Sequence, residues 1–267
     1  MSADRVASLT LEDIRTGGPE AVTKKLIALA PRSVCIANAV TMRDLEVVAL
    51  ACLNAEDAGQ TLLYRTGASF VRAYAGLQKK PLLDATALAL PQTGAGIVVI
   101  GSHVPMTTQQ LHHLTTHTTL ATIELKANRL LAPEQRVSEI ARVLRVLKDH
   151  FSAERDTVLY TSRELITGTS AADSLRIAGM VSQALVEIVK QLPAQPRYVV
   201  AKGGITSSDL ATKGLNVKKM YVLGQVLPGV PANRLGEESR FPGLAYIVFP
   251  GNVGKEDALT TLVHQLS

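Results

Sequence analysis

The sequence predicts an α/β protein with two domains, the larger a three-layer αβα arrangement around a mostly parallel sheet. Three observations lead there. Short aliphatic runs alternate with amphipathic helical stretches, which is the pattern of parallel strands joined by crossover helices. Several of those runs, such as Ile97-Val98-Val99-Ile100, are apolar throughout, so both faces of the strand are buried. The alternation breaks once, around Gln78-Lys79-Lys80-Pro81, stays rich in Ala, Pro and Gly up to Gly96, and then restarts. The domains are accordingly read as 1–88 and 89–267.

Taken in order, residues 1–30 read as helical, with Leu9, Leu11 and Ile14 and then Val22, Leu26, Ile27 and Leu29 at helical spacing around Gly17-Gly18-Pro19. Ser33 to Ala39 reads as a strand, Thr41-Met42-Arg43-Asp44 as the cap of a helix from Leu45 to about Asn54, and Thr61 to Thr66 as a second strand before a helix through Val71 and Tyr74. After the break, strands are expected at 97–100, 119–125, 157–161, 197–201, 217–226 and 245–249. Helices are expected at 107–116, 134–150 and 171–191, from Ser207 onward, and at 256–265.

Composition narrows the function classes. Hydrophobic residues make up 46% of the 267, enough for a sizeable core, but aromatics are only 4% and Trp is absent, so that core is aliphatic. The net charge of +5 is spread over single and paired Lys and Arg without interleaved aromatics, which argues against a nucleic-acid surface and suits small anions. Cys35 and Cys52 each lie inside an apolar run and read as buried free thiols. No apolar run is long enough to span a bilayer and the N-terminus is polar, so the expected address is the cytoplasm. His113 and His117 are four apart on one helix, but no carboxylate follows at ligand spacing, so no metal site is expected.

Four clusters follow strand ends, where open α/β sheets bind ligands. Gly101-Ser102-His103, followed by Thr107-Thr108, offers a sharp turn and a hydroxyl. Lys202-Gly203-Gly204-Ile205-Thr206 offers two glycines that let backbone approach an anion, hydroxyls, and a cationic side chain. It lacks Walker A spacing, and a plain tight turn fits it equally well. Gly224 to Pro231 and Phe241-Pro242-Gly243 with Phe249-Pro250-Gly251-Asn252-Val253-Gly254 read as rigid loop walls, or as turn chemistry alone. Asp44 and Asp209 are the carboxylates near strand ends, and neither identifies itself as a catalytic base.

In this order the clusters, with Glu238-Ser239-Arg240-Phe241-Pro242-Gly243, resemble the four-carbon acid sugar kinase family over residues 95–267. The resemblance implies a nucleotide-binding C-terminal domain in which Ser102, Gly203, Gly204, Ile205, Thr206 and Gly251 contact ATP, with Mg²⁺ brought by the ATP. It implies phosphoryl transfer to threonate- or erythronate-type acids. Residues 1–85 resemble only the last part of the family's substrate domain. The family's Asp-Asp-x-Thr-Gly segment is absent from the chain, which implies an incomplete N-terminal α/β domain with an open sheet edge, and hence a homo-oligomer or a partly disordered N-terminal region. A nucleotide-binding module without catalysis is the alternative. A dinucleotide-dependent oxidoreductase is disfavoured by the lack of G-x-G-x-x-G.

Overall fold

The computed structural model describes residues 5–267 and divides into two compact units, Met1–Lys80 and Pro81–Ser267. The division falls eight residues before the boundary read from sequence. Leu88 and Leu90, which precede the first strand of the larger unit, are buried in its core, so the Ala/Pro-rich stretch belongs with that unit.

The smaller unit has a two-stranded parallel sheet, β1 (Val6–Leu9) and β2 (Val34–Ala37), with helices α1 (Leu11–Arg15), α2 (Gly18–Ile27), α3 (Met42–Asp57) and α4 (Ala68–Tyr74). Leu9, Ile14, Val22, Leu26, Val48, Ala51, Cys52 and Phe70 form its core. Two capping boxes start helices as the sequence signals suggest, Thr10 with Asp13 and Thr41 with Asp44. Asp44 also takes both guanidinium bonds of Arg15, each 2.9 Å, and accepts from the Val40 N–H. The Arg15 guanidinium, followed by the Thr41 and Val40 N–H groups, holds its carboxyl well below the usual carboxylate range. Asp44 therefore ties α1 to the start of α3, and its lone pairs are already committed.

Three expectations are corrected here. Val6–Leu9 is a strand, because the spacing of Leu9, Leu11 and Ile14 mixes the end of β1 with the start of α1. Thr61–Thr66 is not a strand: among the described residues no backbone–backbone hydrogen bond involves them and Leu63 is fully exposed, so β-type composition there finds no described strand to pair with. Cys52 is buried, but Cys35 is only partly so, because among the described residues β2 has no strand on its other side.

The larger unit holds seven strands: β3 (Ile97–Ile100), β4 (Ala121–Leu125), β5 (Thr157–Thr161), β6 (Tyr198–Lys202), β7 (Met220–Leu227), β8 (Val230–Leu235) and β9 (Ala245–Phe249). Their spatial order is β4-β5-β3-β6-β9-β8-β7, with the first five parallel and the β7–β8 hairpin antiparallel at one edge. β8 lies where a loop was expected. Pro228-Gly229 is a hairpin turn rather than a terminator, and a register shift beside the Gln225–Pro231 pair accommodates the proline inside the strand. Helices α5 (Pro105–His117), α6 (Pro133–Ser152), α7 (Ala171–Lys190), α8 (Gly204–Asp209) and α9 (Ala258–Leu266) complete the unit.

Strand periodicity builds the three layers. Ile97, Val99, Val199 and Ala201 face one core with residues of α6 and α7, including Ile140, Val143, Leu147 and Leu185. Val98, Ile100, Tyr198 and Val200 face the other with residues of α5 and α9, including Leu111, Leu114, Leu259 and Leu262. From β3 the chain moves to β4 on one side, and from β6 it moves toward the other edge, so β3 and β6 flank the point where the winding reverses. Open sheets of this kind carry a crevice there, beyond the C-terminal ends of the strands. Among the described residues no helix is long and apolar enough to cross a membrane.

Candidate functional site

At this reversal point the loops after β3, β5, β6 and β9 surround a cavity of about 660 Å³. Ser102, Gly203, Gly204, Ile205, Thr206 and Gly251 all line it, so residues separated by up to about 150 positions in sequence meet in one place. Gly203 has φ +112°, a left-handed value that favours glycine, and turns the chain directly from β6 into α8. Helix α8 consequently begins at Gly204, three residues earlier than Ser207 as read from sequence, and Ile205 and Thr206 fall in its first turn. A π-helical turn, Leu210–Gly214, extends it. The N–H of Gly203 donates to Phe249 O and its carbonyl accepts from Ser207 N–H, both at 2.8 Å, which pins the turn between β9 and α8.

The approach of the β3 and β6 loops depends on missing side chains. A Cβ on Gly203 would lie 2.9 Å from the Ser102 Cβ, one on Gly101 would lie 2.5 Å from Thr206 Oγ1, and one on Gly251 would lie 3.2 Å from Ser102 Oγ. These glycines keep backbone at the cavity wall. Tyr246, fully buried on β9, donates to Ser207 O at 2.8 Å and braces α8 from beneath.

Arg163, after β5, donates to Ser102 O at 2.8 Å and to Thr161 O and Oγ1, fixing the loop that carries Ser102. His103 is held at 2.9 Å from Ser162 O, and burial, with the neighbouring Arg163 charge against the hydrogen bonds, pulls its pKa below the ordinary histidine value. The opposite wall is mostly apolar, with Leu165 and Ile166 from the β5–α7 loop and Ile177, Ala178, Val181 and Leu185 from α7, alongside the polar Glu164, Thr167, Ser174 and Ser182. None of the six apolar residues stood out in the sequence. The usable signal was position, since the segment after β5 also follows a strand end.

Lys202 does not face the cavity. It is fully buried beneath it, and its ammonium donates to Pro250 O at 2.6 Å and Gly251 O at 3.2 Å. As the last residue of β6 its side chain points to the sheet face opposite that of Ala201, under the β9–α9 loop. Asp209 is also outside the cavity. It accepts from Ser182 Oγ at 2.6 Å and pairs with Lys213 at 2.7 Å, and Lys213 first, then Ser182, lowers its pKa. His113 and His117 stack at 4.0 Å, with Nδ1 of His113 on Thr260 Oγ1 and Nδ1 of His117 on the His113 carbonyl.

The larger unit matches a family model described as the nucleotide-binding C-terminal domain, over residues 97–259, and the smaller matches one described as the sugar-binding N-terminal domain, over residues 1–74. The chain belongs to the four-carbon acid sugar kinase family. Solved structures share the fold of this kinase-family chain at low identity. One is a Salmonella typhimurium LT2 protein labelled as a tRNA synthase (TM-score 0.69, 18% identity, 97% of this chain and 59% of that one). Another is Haemophilus influenzae HI1011, from a domain family of unknown function (TM-score 0.63, 17% identity, 98% and 61%). A third is a Bordetella bronchiseptica domain of unknown function with bound citrate, a domain-swapped dimer (TM-score 0.52, 18% identity, 98% and 58%). This family member thus spans about three fifths of the length of those chains. No curated protein is significantly similar to it in sequence.

Proposed function

We propose that the cavity holds ATP and that the chain supplies the nucleotide-binding part of a kinase that phosphorylates a hydroxyl of a four-carbon sugar acid. The observation that carries this reading is the convergence of Ser102, Gly203–Thr206 and Gly251 on one cavity at the winding reversal of a parallel sheet. The glycine-rich side presents backbone and hydroxyl donors suited to phosphate, and the wall formed by Ile177, Val181 and Leu185 suits the face of a purine.

Among the described residues lining the cavity there is no Lys or Arg. Charge on the phosphates then falls to N–H groups, to hydroxyls and to the Mg²⁺ that accompanies ATP. In this reading the ion is held chiefly by phosphate oxygens and water. Phosphoryl transfer needs positioning and charge stabilisation more than covalent help from the protein. In the larger unit the residues at hand orient the nucleotide. We assign no base for the acceptor hydroxyl: Asp44 is committed to Arg15 and the α3 cap, and Asp209 to Lys213 and Ser182.

The sugar-acid ligand and self-association belong to the same proposal, the first supported by the sugar-binding match over residues 1–74 and the second by exposed Val34 and Ile36 on β2. The test is ADP release from ATP and Mg²⁺ with D-threonate or D-erythronate. Acid-dependent release above background is expected if the chain or its oligomer holds a complete acceptor site. ATP binding without turnover on either acid favours the alternative, a nucleotide-binding module, and contradicts kinase activity of this chain.

A further inference from the structure

Lys202 is a buried cation that the nucleotide reading leaves without a role. Among the described residues no carboxylate offsets its charge, and burial pulls its pKa from 10.5 down to about 8. A Leu or Met at this position would satisfy packing against Phe249, whose ring lies 4.0 Å from Nζ, without the cost of an uncompensated buried charge. What the ammonium does instead is hold two successive carbonyls of the β9–α9 loop, Pro250 O and Gly251 O.

It does not act alone. Thr107 Oγ1 donates to Gly251 O at 2.9 Å, and Gln110 Nε2 donates to Val253 O at 2.9 Å and Lys255 O at 2.8 Å. Four carbonyls of one short loop are thereby turned toward buried donors on β6 and α5. All peptide bonds in the described residues are trans, and in a trans peptide the N–H points opposite to the C=O. Fixing Pro250 O and Gly251 O inward therefore turns the N–H groups of Gly251 and Asn252 away from Lys202. Neither N–H has a hydrogen-bond partner among the described residues, and both residues line the cavity.

We infer that Lys202 is a positioning residue for the cavity, acting through Gly251: its ammonium orients the Pro250–Gly251 and Gly251–Asn252 peptides so that two backbone donors stay available to an anionic oxygen of the ligand. The inference rests on the proposal that this ligand is a nucleotide. The ammonium also polarises these peptides, which strengthens their N–H groups as donors while keeping a Lys side chain out of the cavity. The charged and titratable groups on the surrounding elements are His103 before α5, His112 and His113 on α5, Arg163 and Glu164 after β5, and Lys255, Glu256 and Asp257 ahead of α9, with His264 on α9. None of them contributes to the shift of Lys202.

The position makes two opposite pH dependences. Below about pH 8 Lys202 is charged in both folded and unfolded chains, whereas between about 8 and 10.5 only the unfolded chain keeps the proton, so folding stability rises with pH through this window. Over the same window the peptides lose their cationic anchor and ligand affinity falls.

The experiment follows the carbonyl carbon of Gly251 in protein labelled with glycine enriched in carbon-13 at the carbonyl, from pH 7 to 9.5 and without nucleotide, beside ATP titrations of wild type, Lys202→Met and Lys202→Gln. A Gly251 signal titrating near pH 8 in wild type and flat in Lys202→Met is expected. ATP affinity of Lys202→Met should fall roughly tenfold at pH 7.5 with an unchanged or raised melting temperature, and Lys202→Gln, which keeps amide donors, should recover part of it. A Gly251 signal indifferent to pH in wild type overturns the inference without any variant having to fold, as does Lys202→Met binding ATP like wild type. Wild type that titrates at Gly251 but fails to bind ATP overturns the nucleotide reading and, with it, the ligand assigned to these donors.

Discussion

Gly203→Val is expected to reduce ATP affinity by about two orders of magnitude or more while leaving the chain folded. Two effects combine. At φ +112° a β-branched residue is strained, which costs of order 1–3 kcal/mol. Its Cβ would meet Ser102 Cβ at 2.9 Å and Thr206 Oγ1 at 3.4 Å, pushing apart the two loops whose approach defines the cavity. The turn cannot slide to relieve this, since Gly203 is hydrogen-bonded to Phe249 on one side and Ser207 on the other. Gly243→Ala is the matched control. Gly243 has φ +75°, but a Cβ there would meet nothing within 4 Å, and the residue does not line the cavity. It should lose similar stability and keep ATP binding, as calorimetric titration and thermal melting of both variants would establish. Equal ATP affinity in Gly203→Val and wild type would remove the turn from the site.

The largest stability effect is expected at Glu139. Its side chain is fully buried on α6, accepting from Arg142 Nη2 at 2.7 Å, Arg142 Nε at 2.9 Å and Lys126 N–H at 2.8 Å, with Arg129 at 4.0 Å. Burial pushes its pKa up, but Arg142, the Lys126 N–H and Arg129 outweigh that and leave it below the ordinary value. Glu139→Ala strands the Lys126 N–H and leaves the partly exposed Arg142 with Glu124 O, at 2.6 Å, and water as its acceptors. The expected loss is about 2–3 kcal/mol. That is roughly 5–10 °C in the melting transition of a unit this size. Because the folded pKa is depressed, the contribution is complete above the unfolded carboxyl pKa and disappears as pH falls through the folded value, so wild type and variant should converge in acid. A loss below about 0.5 kcal/mol at neutral pH would show that this carboxylate is not holding α6 to the segment after β4.

Much of the larger unit was legible because its central strands are largely apolar. Ile97–Ile100 and Tyr198–Lys202 need burial on both faces, and a parallel sheet supplies it. The glycine and hydroxyl residues after β3, β6 and β9 are visible in the sequence as strand-end turns, but a plain tight turn fits them equally well, and only the order of the clusters, through its family resemblance, singled them out as expected ATP contacts. Where sequence reading failed, the deciding contacts were distant. Val230–Leu235 contains a proline and follows Pro-Gly, and only pairing with β7 and β9 makes it a strand. Thr61–Thr66 has strand composition and no partner strand among the described residues. Lys202 sits beside a phosphate-type turn in sequence, yet strand alternation directs it beneath the loop of Gly251, a relation that depends on β6 and β9 being neighbours. The apolar wall of α7 looked like ordinary core because Ile177 continues at helical spacing the stripe of Val181 and Leu185, which belongs to the core against the sheet.

The central proposal is that ATP occupies the cavity between the β3, β6 and β9 loops. Glycine-selective NMR of the whole chain during ATP titration tests this most directly, because Gly203, Gly204 and Gly251 line the cavity whereas Gly179 lies in a separate groove with Lys190, Asp209 and Lys213. The predicted result is saturable shifts at Gly203, Gly204 and Gly251 with Gly179 and Gly243 unmoved. Shifts confined to Gly179, or no shift at the three cavity glycines with millimolar ATP, would contradict it.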